Sequence, residues 1–503
     1  SATTGTSFFQ EIIVHEKELV SPGQTGHRFI GEDFRYTRKQ TFTFNLPERD
    51  KSEKDIWVNC AFAYKAINGK STITMSVNGK EIQLPPESIL DATTDNNNLH
   101  YSLVNIPVTV ENTDDRVSLD VTFATNANPL RLARLDNITL NYPRKLSLGS
   151  APWEFRLWNT GKATLEGATA QTRVWDVTDA ADIRRVVTSE PNTQGQISWN
   201  TRRDNSKAEY VAWTPGSSMP SVELAATVPN QNLHGLETPD MVIITLPQWR
   251  QYAESLANLH RTDPQNLDVL VVTDNECFNE FSGGTPDINA VRRMLKMFWD
   301  RGGGTSDGKD SKLRYALMFG RAMYDHRGIT PEARQIKNNI LLQWQSQESG
   351  SSSTSFTTED YLAFLLDGSG AKFGTDRLCI AVGRIPVSSE SEAAVSVEKI
   401  RRYMADEHRS EWKNRIVMAT DDGNYGDHID QMEKVYTEFM STTGGLQNVY
   451  HKVYVDAFPL INGQTPDAHD RMWRLLNQGA IWWWYIGHAS TTSWTAEGLL
   501  TID

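Results

Sequence analysis

The stretch Ala480-Ile481-Trp482-Trp483-Trp484-Tyr485-Ile486 is apolar without a break and then stops at Gly487-His488. A run of this length with no polar alternation fits a strand buried on both faces, as a helix-covered parallel sheet requires. The carboxyl ends of such strands open on the crevice where α/β domains bind ligands, and Gly487 gives the backbone freedom to turn there. His488 is thereby delivered to an edge suited to chemistry. A histidine so placed can equally be structural, satisfied by a backbone carbonyl, and the run alone leaves both roles open.

The surrounding pattern is of the same kind from about Pro239 onward. Apolar runs at 241–246, 267–273, 313–319, 378–382, 416–419, 452–455 and 481–486 read as strands. Helical patterns at 248–260, 287–300, 390–406, 428–440 and 467–478 alternate with them, as in a parallel sheet covered on both faces. Upstream the grammar differs. Residues 1–144 carry short alternating segments such as Gln40 to Leu46 and Val117 to Phe123, punctuated by Asn78-Gly79, Pro85-Pro86 and Thr94 to Asn98. That is the pattern of an antiparallel β-sandwich. Residues 145–235 read as a second β-rich module with strands near Tyr210 to Thr214 and Val222 to Ala226. The Gly-rich segment 301–308 and the Ser-rich segment 346–355 read as exposed loops.

Composition narrows the function. A chain of 503 residues needs several cores. Its formal net charge of −13 disfavours phosphate backbones, so nucleic acid is not expected as a partner. Cys60, Cys277 and Cys379 form no CxxC pair and no zinc knuckle with histidine, which leaves neither a disulfide framework nor a cofactor indicated. No signal-peptide pattern or membrane-spanning run is present, and a chain opening on Ser1 reads as a processed or excised piece of something larger.

A second strand end resembles the first: Ile416-Val417-Met418-Ala419 opens into Thr420-Asp421-Asp422-Gly423-Asn424-Tyr425-Gly426-Asp427-His428. If the two strands are neighbours, a carboxylate and a histidine share one crevice, and a carboxylate that orients a histidine serving a thiol follows triad logic. Two other readings stand beside it. Asp421 and Asp422 could cap the following helix, or Asp421, Asp422, Asn424 and Asp427 could form a calcium loop.

Gly487-His488 followed by Trp494 resembles the catalytic-histidine motif of gingipain-type cysteine peptidases. The likeness extends through Phe278-Asn279-Glu280-Phe281-Ser282-Gly283-Gly284, Leu313 to Gly320, Thr358-Glu359-Asp360-Tyr361, Gly383-Arg384-Ile385-Pro386-Val387 and Ala419 to Gly423. With Asn230-Gln231-Asn232-Leu233-His234-Gly235 and the β-rich front, the set is similar to the type IX secretion system sortases of that family. The resemblance implies a multidomain α+β protein: N-terminal antiparallel β domains, then a caspase-like α/β domain with a mainly parallel sheet, truncated at its C-terminus. Its first subdomain would span 236–403, and 404–503 would begin a second, catalytic one.

The activity implied is that of a cysteine peptidase and transpeptidase at the bacterial outer-membrane surface. It would remove the C-terminal signal domain of exported cargo and pass the cargo through a thioester to anionic lipopolysaccharide, with an outer-membrane β-barrel partner such as PorV. His488 would be base and acid and Asp422 the orienting acid, although the neighbouring Asp421 stays in play. The backbone N–H of Ala489 would line the oxyanion hole beside Gly487, and Trp494 would contact substrate. Ala489 replaces the second glycine of the usual Gly-His-Gly. The nucleophile expected a few tens of residues beyond the histidine matches none of the three cysteines, so this segment is expected to be inactive alone. A noncatalytic assembly component would look the same.

Overall fold

The computed structural model describes residues 8–67, 69–91, 101–125, 131–158, 161–201, 206–224, 227–306, 310–347, 349–350, 355–405, 410–490 and 492–502. Two compact units result, Ser1–Val397 and Glu398–Asp503.

The first unit begins with two antiparallel sheets. One orders the strands Phe8–Glu16, Leu132–Lys145, Asp55–Lys65 and Ser102–Glu111, and the other Lys39–Asn45, Arg116–Ala124, Ser71–Val77 and Lys80–Glu81. Alternation does the packing: Val117, Leu119, Val121 and Phe123 turn inward and are at most 1% exposed, while the residues between them stay partly solvated. Asn78 and Gly79 both adopt positive φ, +50° and +82°, which is what a two-residue hairpin turn requires.

A smaller β module follows. One sheet orders the strands Trp153–Trp158, Lys207–Trp213, Arg173–Asp176 and Arg184–Arg185, and a ribbon pairs Lys162–Leu165 with Ile197–Asn200. Phe155, Trp199 and Tyr210 fill its core, the Phe155 and Tyr210 rings stacking at 5.6 Å. The strand expected at Val222 to Ala226 is not formed: Val222 and Leu224 are 99% and 87% exposed with no ladder partner, and 225–226 lie outside the described residues. Apolarity alone suggests a strand there, and no described residue packs against it.

The α/β part of this unit carries a parallel sheet in the order Val269–Thr273, Met241–Thr245, Tyr315–Phe319, Ala381–Ile385. The last strand is displaced from the expected 378–382. The parallel register pairs Phe319 with Ile385, and Arg384 can occupy a strand because Glu359 (2.6 Å) and the Gly320 and Leu342 carbonyls accept its hydrogen bonds. The sequence Thr273-Asp274-Asn275-Glu276 is a capping box that opens an unexpected helix, Asp274–Phe281. Cys277 is therefore inside a helix, its thiol 3.6 Å from the Met294 sulfur. Of the Ser-rich segment, 348 and 351–354 lie outside the described residues, and the described serines depart from an exposed loop. Ser346, Ser349 and Ser355 are buried, and the Ser346 and Ser349 carbonyls accept hydrogen bonds from the backbone N–H groups of His27 and Gly23 in the β front.

The second unit is built on three parallel strands in the order Val449–Tyr454, Arg415–Thr420, Trp482–Ile486. Val417 and Ala419 face Met472 and Leu475 of the Pro466–Gln478 helix, whereas Ile416 and Met418 face Met432 of the Asp427–Met440 helix. The strand expected at 452–455 instead begins at Val449, because register with Arg415 extends it into a half-exposed, polar stretch. The tryptophan strand also departs from full burial. It pairs on one side only among the described residues, and Trp482 is 54% exposed. Trp483 and Tyr485 pack on one face, Trp484 and Ile486 on the other.

Candidate active site

The two strand ends expected to share a crevice are adjacent, since Thr420 pairs with Ile486 in parallel register. Residue 421 on one strand and residue 488 on the other thus leave the sheet side by side. Asp421 is the carboxylate at His488: its Oδ2 accepts the His488 backbone N–H (2.6 Å) and lies 3.3 Å from the His488 Nδ1. Asp422, expected in that role, is exposed and makes no contact with His488 among the described residues. Asp421 is buried where the strand ends, whereas Asp422 enters the following turn on the solvent side.

His428 belongs to the site as well, although its sequence context suggests only a helix or an exposed turn. Buried at the start of the Asp427–Met440 helix, it has its Nδ1 against Asp421 Oδ1, and its ring meets that of His488 edge-on at 5.0 Å. The signal available in the sequence is its position seven residues after Asp421. The intervening turn holds Tyr425 and Gly426 at positive φ, +59° and +90°. Asp421 also accepts the Gly423 N–H at 3.2 Å. Burial by itself would raise this carboxyl's pKa, but the His488 N–H, His428 and the Gly423 N–H outweigh it and hold it below the usual carboxylate range. Asp421 is 3% exposed and His488 presents 67% of its side chain to solvent, so a fixed anion backs an accessible imidazole.

The His488 backbone is held at its other end too. Its carbonyl accepts from the Tyr485 hydroxyl (2.5 Å) and the Thr495 N–H (3.1 Å). Thr495 adopts φ +62°, a conformation that costs a β-branched residue on the order of 1–3 kcal/mol. Gly487 serves through space rather than a turn. An added Cβ would lie 2.8 Å from the Asp421 Cγ and 2.5 Å from the Tyr485 hydroxyl. Ala489 and Trp494 form a bridge whose hydrogen bonds run between their neighbours, Ser490 N–H to Ser493 O (2.8 Å) and Thr495 N–H to His488 O. The Ala489 N–H consequently points out of the ladder. Trp494 stacks on Tyr485 at 4.5 Å and packs against the core, which makes it a support of the site wall.

The capping reading finds other geometry. Gly426 is the N-cap of the Asp427–Met440 helix, with no side-chain cap. The donors that converge among the described residues are Asp421, His428 and His488, rather than Asp421, Asp422 and Asp427; the Asn424 side chain lies outside what is described. All three cysteines belong to the first unit, and burial pushes the Cys60 and Cys277 thiols up, away from the thiolate form.

No curated protein matches the chain by sequence. Among solved structures, the crystal structure of dimeric latent PorU from Porphyromonas gingivalis is similar with a TM-score of 0.67 and 26% identity, covering 80% of this chain and 38% of that one. The present chain thus spans well under half of the PorU chain. The insecticidal delta-endotoxin Cry8Ea1 from Bacillus thuringiensis matches with a TM-score of 0.17 and 9% identity over 22% of this chain and 19% of its own, too low to carry an argument. The family model of peptidase family C25 matches residues 234–503, more than half of the chain and all of the site. The chain belongs to peptidase family C25, the gingipain family of cysteine peptidases.

Proposed function

We propose that this protein is a cell-surface sortase that removes the C-terminal signal domain of type IX secreted cargo and transfers the cargo to anionic lipopolysaccharide. The observation that carries this reading is the likeness to PorU, which covers 80% of the chain and so takes in more than the family match alone. Asp421 would fix the His488 imidazole, which takes the proton of an attacking thiol and returns it to the leaving amine. The Ala489 N–H, which points out of the ladder, supports an oxyanion role for that position. Attachment to the outer membrane would go through a partner such as PorV, in keeping with the lack of any helix among the described residues long and apolar enough to cross a membrane.

The test is complementation of cargo attachment by the gene product carrying His488→Ala, with expression and folding checked alongside. Loss of signal removal and of lipopolysaccharide-linked cargo is expected. Wild-type processing would refute the sortase mechanism and favour an assembly role.

A further inference from the structure

We infer that Asp421, His428 and His488 form a binding site for a transition-metal dication of the zinc type. One ligand atom from each of the three lies within 4.8 Å of the other two. Both Nδ1 atoms lie beside the same carboxylate, that of His428 against Oδ1 and that of His488 3.3 Å from Oδ2, so one metal ion can gather all three donors. Two imidazole nitrogens and a carboxylate oxygen are the donor types zinc accepts, at about 2.0–2.2 Å in tetrahedral geometry. Water fills the fourth position from the side on which His488 is 67% exposed.

The supporting shell is built. The N–H groups of His488 and Gly423 hold the Asp421 carboxylate, and such outer hydrogen bonds orient a ligand and sustain affinity. Gly423 keeps the position beside the imidazole open, since a Cβ there would come within 2.9 Å of the His488 Nδ1. His428 and Asp421 are buried, and a rotation of the exposed His488 ring would close the set. Metal binding and acid–base work by His488 exclude one another; that consequence rests on the peptidase reading, whereas the binding itself does not.

The experiment is titration of metal-free protein comprising residues 1–503 with zinc ion against a chromophoric chelator, together with cobalt substitution read by its visible absorption. One equivalent bound at a four-coordinate nitrogen and oxygen site is expected. His488→Ala, a change at an exposed side chain, should weaken binding by on the order of 100-fold or more, as loss of a ligand costs at least what loss of its support does. His428→Ala should do the same if the variant stays folded. No stoichiometric binding, or binding that His488→Ala leaves unchanged, would overturn the assignment.

Discussion

At the scale of single residues, the site depends on one buried carboxylate and on the space left around it. Gly487→Ala should place a methyl group against the Asp421 carboxyl and the Tyr485 hydroxyl. Overpacking of this kind costs about 1–3 kcal/mol and displaces the groups it touches. Processing should fall sharply with only a modest drop in melting temperature, measured on the same preparation. Glu280 offers a separate test by pH. Burial would raise its pKa, but the Leu233 and His234 N–H groups, Gln231 and the His234 ring pull it down to about 2. Because the folded value lies below the ordinary value of 4.5, its stabilisation is present above that value and is lost as pH falls toward 2. The melting-temperature gap between wild type and Glu280→Gln should therefore shrink on acidification from about pH 5 to about pH 2; a constant gap would contradict the assignment.

At the scale of elements, the sequence is most readable where apolar period and register agree. The Met241, Tyr315 and Arg415 strands and several of the helices that cover them are visible in the pattern. Where contacts decide, it is not. Arg384 sits in a strand because distant carbonyls and Glu359 receive it, and Ser349 is buried where its carbonyl and hydroxyl accept hydrogen bonds from Gly23 and Arg28 of the β front. The motif points to His488, yet which of Asp421 and Asp422 lies against it depends on burial at the strand end. His428 escapes the pattern because its partner lies across a turn that left-handed backbone makes possible. The segment around Val222 shows the same dependence on contacts. With Met219, Val222 and Leu224 exposed and outside any ladder, limited proteolysis should cut between about 214 and 228 before either flanking core. First cuts within Lys207–Trp213 or Met241–Thr245 would contradict this.

At the scale of the molecule, the β front and the first parallel sheet form one compact unit, and the unit that bears His488 is organised around three strands of its own. In the proposed function its chemistry would rest on which carboxylate orients the histidine. The most direct test compares Asp421→Asn with Asp422→Asn in the gene product, with cargo signal removal measured by single-turnover kinetics. Removing the orienting carboxylate of a comparable triad costs on the order of 10⁴ in rate, and a loss approaching that is expected for Asp421→Asn, with Asp422→Asn close to wild type. The reverse ranking, or equal small effects, would contradict the account.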